Sequence, residues 1–226
     1  MDQRVERAVV LAAGLGTRLK WLTNSRPKAL MQVGGEPAII HVIRSLVSQG
    51  IHDIAVNAHH HADILKSYLG DGSRFGCRIR ISYEPLLLDS GGGVKQALEF
   101  LPGSGPIAVC NADVLSSLDL KRLSAVLPEG GAAIGLVTNP THHPGGDFAL
   151  NGVKVMSEGE TRFTFSGISV WDEKVFDGFE TGSVFSLVQP MRELIAKGLC
   201  AGAKHDGYWY DIGRPADLMR ANRRYR

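Results

Sequence analysis

Apolar and polar residues follow two rhythms along this chain. Residues 8–13 are apolar at every position, the pattern of a central strand covered on both faces. Pro37 then opens a helical stretch whose apolar face is Ile39, Ile40, Ile43, Leu46 and Val47, with Gly50 as its terminator. Residues 53–57 predict a second strand, residues 61–69 a helix closed by Gly70, and residues 78–83 a third strand with alternating polarity. A helix follows over 94–101, a buried strand over 106–110, an amphipathic helix over 118–127 capped by Ser117 or Asp119, and a strand over 132–138. Strand–helix alternation of this kind predicts a parallel sheet. From residue 139 the rhythm changes. D-F-A-L-N-G-V-K-V-M carries Asn151-Gly152 between apolar arms, a hairpin signal, and T-R-F-T-F-S-G-I-S-V-W is a strand rich in aromatic and β-branched residues. Residues 186–197 predict a helix ending at Gly198, and a basic helix ends the sequence. The expected architecture is a single α/β domain over 1–226. It has a Rossmann-like, mostly parallel central sheet flanked by helices in residues 7–138 and an antiparallel extension in 139–226.

Composition adds boundaries to that picture. A chain of 226 residues can bury an ample core, and 44% apolar with 21% charged residues is ordinary for a globular protein. A net charge of +2 gives no mandate for nucleic acid or an acidic membrane surface, so any anion site has to gather its cations locally. Cys77, Cys110 and Cys200 are odd in number and widely spaced, which argues against a disulfide framework and against zinc; reduced thiols in a cytoplasm are expected. The apolar run near the N-terminus stops at Gly14, too short for a secretory signal or a bilayer span.

Candidate chemistry is concentrated in residues 9–30, V-V-L-A-A-G-L-G-T-R-L-K-W-L-T-N-S-R-P-K-A-L. Gly14 and Gly16 allow backbone conformations in which successive N–H groups converge on an anion. Arg18 and Lys28 add two fixed cations, and the Arg18 guanidinium can fork across two phosphate oxygens. A tight turn with incidental charges would explain the glycines alone; the whole segment favours a polyphosphate. It is not the dinucleotide fingerprint, because the sixth position from Gly14 is Leu19, and no Gly-Lys pair exists for a Walker loop. In E-P-L-L-L-D-S-G-G-G, residues 84–93, three glycines leave room for a flat base at the backbone, although Asp89 or Ser90 capping a helix is the plainer alternative. Asp113, after Asn111 and Ala112, stands at the carboxyl end of a central strand, where open α/β sheets bind ligands; capping a turn is again the alternative. Asp211 lies among Trp209, Tyr210 and Ile212, where a carboxylate is costly unless paired or metal-bound. Asp113 and Asp211 together, with phosphate oxygens and water, suit an octahedral Mg²⁺ site. The histidines at 59–61 and at 142 and 143 lack zinc spacing and fit a loop or substrate role better.

Taken together, L-A-A-G-L-G-T-R-L, P-K-A-L, L-D-S-G-G-G, Asp113, T-F-S-G-I-S-V and W-Y-D-I-G-R-P give a chain that, from about residue 7 to 218, resembles the sugar-1-phosphate nucleotidyltransferases. The resemblance implies a GT-A-like fold. It also implies Mg²⁺-assisted, in-line attack of a sugar 1-phosphate on the α-phosphate of a nucleoside triphosphate, giving a nucleotide sugar and pyrophosphate. It would place the nucleotide against Leu11, Ala12, Ala13, Gly14, Gly16, Thr17, Arg18 and Lys28, and against Ser90, Gly91, Gly92 and Asn111 across the cleft. Catalysis would rest on Arg18, Lys28 and Asp113, the metal on Asp113 and Asp211, and the sugar phosphate on Asp147, Ser166 and Gly167 in the 139–226 half. No general base is needed, since the sugar phosphate is already ionised. G-D-G-S-R-F-G, S-G-G-G, N-P-x-H-H and G-D-F-x-L look most like the short uridylyltransferases of cell-wall recycling that act on N-acetylmuramate 1-phosphate. Departures from the family pattern are P-K-A-L for P-K-P-L, Ser90 for Thr and Ala112 for Gly. Guanylyl or thymidylyl transfer to mannose or glucose 1-phosphate is the nearest rival. A non-catalytic nucleotide-sugar-binding regulatory subunit is a rival of another class, and a sensor has no need of Arg18, Lys28, Asp113 and Asp211 together. The expected setting is cytoplasmic, as a monomer or small homo-oligomer, with neither nucleic acid nor membrane as partner.

Overall fold

The structure, a computed structural model, describes residues 4–16 and 26–225. Thr17 and Arg18 lie outside the described residues. Strand β1 is Arg7–Leu11, followed by a short hairpin of β2 (Gln32–Val33) and β3 (Glu36–Pro37) and by helix α1 (Ala38–Ser48). Next come β4 (Asp53–Ala58), α2 (Ala62–Leu69), β5 (Arg78–Tyr83), α3 (Asp89–Leu98), β6 (Ile107–Asn111), β7 (Val114–Ser116) and α4 (Leu120–Ser124). The remainder is β8 (Ala132–Val137), β9 (Phe148–Asn151), β10 (Lys154–Met156), β11 (Arg162–Trp171), α5 (Val188–Lys197), β12 (Cys200–His205), β13 (Trp209–Asp211) and α6 (Pro215–Arg224).

Nine of these strands form one sheet in the order β5-β4-β1-β6-β11-β8-β12-β10-β9. Side chains alternate across it, as the pleat requires. Ala8, Val10, Ile54, Val56 and Ala108 pack under α1, α2 and α4 on one face. Val9, Ala55, Ile107 and Val109 pack under α3 and α5 on the other. That two-sided cover is why residues 8–13 carry no polar position. A third, smaller cluster of Met31, Val33, Leu115, Ile212 and Ala221 seats α6 against the β2–β3 hairpin and β13.

The sheet is mixed rather than mostly parallel. Strands β5, β4, β1 and β6 run parallel, as expected. Strand β8 does not extend that set: β11 inserts antiparallel between β6 and β8. The expected hairpin at Asn151-Gly152 is present as β9–β10, with Gly152 at φ 59°. Strand β9 also pairs with the start of β11, so the ladder through β8, β12, β10 and β9 curls back on itself. The curl is possible because β11 breaks register between Phe165 and Ser169, where Gly167 sits at φ 78°. Among the described residues no helix is long and apolar enough to cross a membrane. Cys77, Cys110 and Cys200 are buried free thiols, and burial pushes Cys110 and Cys200 up to about 12.

Candidate active site

Parallel pairing sets the ends of β1 and β6 level, Leu11 opposite Asn111, and Ala112 N–H continues the pairing onto the Leu11 carbonyl at 3.0 Å. Beyond these ends opens a cavity of about 620 Å³, in the range of small-molecule sites. Leu11, Ala12, Ala13, Gly14 and Gly16 line it on one side with Lys28, Asn111 and Asp113, while Leu87, Ser90 and Val184 stand on the other. Gly16 takes φ 66°, open to glycine at no steric cost. Gly14 has nothing within 4 Å of where a Cβ would stand, so its backbone is open to a ligand.

Lys28 stands just after Pro27 on a 3₁₀ turn, Lys28–Leu30, whose Ala29 and Leu30 are buried. That anchorage holds its ammonium over the end of β6, where it ion-pairs with Asp113 Oδ2. Both side chains are five-sixths withdrawn from solvent, 16% and 17% exposed, so the pair is screened less than a surface bridge. Asp211 arrives through a separate ladder. Strand β13 pairs antiparallel with β7, placing Asp211 opposite Val114, and Ile212 N–H donates to the Asp113 carbonyl at 3.0 Å. Gly213 N–H donates to Asp211 Oδ1 at 2.9 Å; a Cβ on Gly213 would stand 2.9 Å from that oxygen and 3.2 Å from Lys28 Nζ. The two acids, nearly a hundred residues apart in sequence, therefore share one small volume with the lysine.

Hard carboxylate oxygens beside a cavity open to phosphate oxygens and water are the donor chemistry Mg²⁺ prefers. Among the described residues no three His, Cys, Asp or Glu side chains gather to hold a metal. A cation at Asp113 and Asp211 would therefore complete its shell with substrate oxygens and water, as Mg²⁺ commonly does. The residues present fit the ion.

Asn57 in the cavity wall and its buried partner Glu84 had no sequence-derived role. Asn57, near the end of β4, is 2% exposed; its Oδ1 accepts from Ala12 N–H at 2.6 Å and from Ala13 N–H at 3.3 Å. Its Nδ2 donates to Glu84 Oε1 at 2.7 Å, and Glu84 Oε2 accepts from Leu88 N–H at 3.0 Å. Glu84 is fully buried, and that burial pushes its carboxyl pKa up against the opposing pull of these hydrogen bonds. The available signal was a polar residue at the end of each of two neighbouring strands. Val184, also unassigned, is 65% exposed at the cavity edge.

Several assigned residues stand elsewhere than expected. Gly91 and Gly92 do not open the backbone to a base. They are buried inside α3; a Cβ on Gly91 would strike the Phe185 ring and one on Gly92 the Ser183 carbonyl, while both N–H groups donate to the Phe185 carbonyl. The glycines admit protein, not ligand. Ser90 remains at the cavity, its Oγ accepting from Leu187 N–H at 3.0 Å. Ser166 is 1% exposed and its Oγ accepts from Ile168 N–H at 3.2 Å across the bulge of its own strand, so its hydroxyl does not face a sugar. Gly167, at the same bulge, brings the backbone against Asn111: a Cβ there would stand 2.6 Å from Asn111 Nδ2. The Asp147 carboxylate is engaged by Phe165 N–H at 2.8 Å and by His143 Nε2 at 3.0 Å, and ties the β9 end to β11 instead of lining the cavity.

Comparison with known proteins follows the same lines. The profile of the family described as nucleotidyl transferase matches residues 7–146. The chain is 37% identical to the N-acetylmuramate alpha-1-phosphate uridylyltransferase of Neisseria meningitidis serogroup B, covering 95% of this chain and 96% of that one. It is 32% identical to the enzyme of the same name from Caulobacter vibrioides, over 99% and 98% of the two chains. Among solved structures, HddC from Yersinia pseudotuberculosis, complexed with GMP-PN, superposes with a TM-score of 0.81 at 23% identity, covering 98% of this chain and 100% of that one.

Proposed function

Since the chain belongs to the nucleotidyl transferase family, we propose that it joins UTP and N-acetylmuramate 1-phosphate into a UDP-sugar and pyrophosphate. The observation that carries this reading is the pairing of Lys28 with Asp113 in the wall of the cavity beside the Gly14–Gly16 bend, with Asp211 brought next to them by β13. Kinship with two enzymes of that name along nearly their full length supports the choice of base and sugar.

In this reading the backbone bend from Gly14 to Gly16 receives the phosphates, and Arg18 holds the outer ones and the departing pyrophosphate. Lys28 exchanges its contact with Asp113 for the α-phosphate oxygens and stabilises the charge that grows there during attack. Asp113 and Asp211 would hold a Mg²⁺, which when bound offsets the repulsion between the two anionic reactants. Asn111 and Asp113 orient the reacting phosphates at the strand end, and Ser90 stands at the far wall toward the base. The sugar phosphate, ionised at neutral pH, serves as nucleophile without a proton acceptor. The reaction uses two small phosphorylated substrates and belongs, on this reading, to cytoplasmic cell-wall recycling.

Incubation with Mg²⁺, each nucleoside triphosphate and a panel of sugar 1-phosphates tests the proposal. Pyrophosphate release should be fastest with UTP and N-acetylmuramate 1-phosphate. Preference for GTP with mannose 1-phosphate, or no release from any pair, would overturn it.

A further inference from the structure

We infer that Asn57 and Glu84 form a buried positioning pair that fixes the phosphate-side wall of the cavity relative to its base-side wall, and so sets affinity for the nucleoside triphosphate. The inference rests on the nucleotide reading above and assigns work to residues that reading leaves idle.

Every polar atom of the pair is committed. Asn57 Oδ1 takes the Ala12 and Ala13 N–H groups of the phosphate-side loop, and Glu84 Oε2 takes the Leu88 N–H of the segment leading to Ser90. One bond, Asn57 Nδ2 to Glu84 Oε1 at 2.7 Å, joins the two halves. Its direction is forced. Backbone N–H groups can only donate, so Oδ1 has to face the loop and Nδ2 has to face the acid. Strands β4 and β5 deliver both residues to the same edge of the sheet, Ala58 pairing with Tyr83 just beside them. Gly93 of α3 lies beneath the joint; a Cβ there would overlap Asn57 Nδ2 and stand 2.7 Å from Glu84 Oε1. The third glycine of the run therefore makes room for the pair. A buried carboxylate is a costly way to fill space, and it is accepted here with hydrogen bonds to backbone and amide. Because Ala12 and Ala13 N–H are held by Asn57, the pair decides where that loop sits against Ser90.

Reversing the polarity of the joining bond tests this. In Asn57→Asp two carboxylates face each other, and in Glu84→Gln one of the two oxygen acceptors is lost. The double variant Asn57→Asp/Glu84→Gln can rebuild every bond, with the amide now donating from position 84. UTP affinity with Mg²⁺ is measured by calorimetry, melting temperature by thermal scan and pyrophosphate release in parallel. Each single variant should weaken UTP by about tenfold or more, as expected when a buried hydrogen-bonding group loses its partner. The double variant should recover most of that loss. Gly93→Ala, which on helix propensity alone would stabilise α3, should weaken UTP likewise. Lowered melting temperature with unchanged UTP affinity, or a double variant no tighter than the weaker single, would overturn the inference; should the single variants fail to fold, the double variant and Gly93→Ala decide on the same criterion. UTP binding without pyrophosphate from wild-type protein would instead count against the transferase reading and leave the pair to be judged on affinity.

Discussion

Lys28 is the residue on which the site turns, because its ammonium pairs with Asp113 beyond the end of β6 and stands beside Gly213, next to the β13 acid. Truncation to Ala leaves Asp113 without its internal counter-charge. Since removing one preorganised donor of transition-state charge costs about 10²–10³ in turnover, Lys28→Ala should lose that much pyrophosphate release. Its melting temperature should change little at millimolar Mg²⁺, where a divalent ion can take over the charge compensation. Fold and chemistry separate cleanly at this position, as its neighbours Ala29 and Leu30 do the packing. Lys28 was legible in the sequence as a cation near two glycines. The burial of Asn57 and Glu84 was not, because a polar residue at a strand end reads as solvent-facing until its neighbours are known.

At the scale of elements, local signals were readable and long-range ones were not. The strand at 78–83 and the helix closed by Gly70 stand where periodicity and terminators put them. Helix α3, however, starts at Asp89 and includes all three glycines, whose low helix propensity hid its first five residues; packing against Phe185 and Ser183 outweighs that propensity. Nor does any pattern within residues 162–171 announce that they insert antiparallel between β6 and β8. Pairing partners so distant in sequence leave no trace in the period of either strand. The bulge that makes this possible has a testable weak point. Gly167→Ala puts a side chain at φ 78° and against Asn111, so it should destabilise the fold by about 1–3 kcal/mol and reduce activity through Asn111; denaturant unfolding and steady-state turnover measure the two effects.

An edge contact makes a separate pH prediction. The Arg78 guanidinium hydrogen-bonded to Asp53, joined by Arg80, holds that carboxyl below the usual carboxylate range against the opposing effect of partial burial. With the folded pKa depressed, this contribution is present above the unfolded value of about 3.9 and is lost as pH falls through the folded one. Asp53→Asn should therefore lower the melting temperature at pH 7, and the difference from wild type should vanish at the acid end of a pH series.

Over the whole molecule, the nine-stranded sheet carries the phosphate-side loop and delivers Asp113 beyond the end of β6, while Asp211 comes on the separate β7–β13 ladder, which the small third cluster under α6 holds in place. The proposed reaction depends on Asp113 and Asp211 acting together on one Mg²⁺. Pyrophosphate release from UTP and N-acetylmuramate 1-phosphate, compared among wild type, Asp113→Asn and Asp211→Asn at saturating Mg²⁺, tests it most directly. Each variant should fall by about two orders of magnitude or more while remaining folded. Wild-type turnover in either one would contradict the shared-metal site.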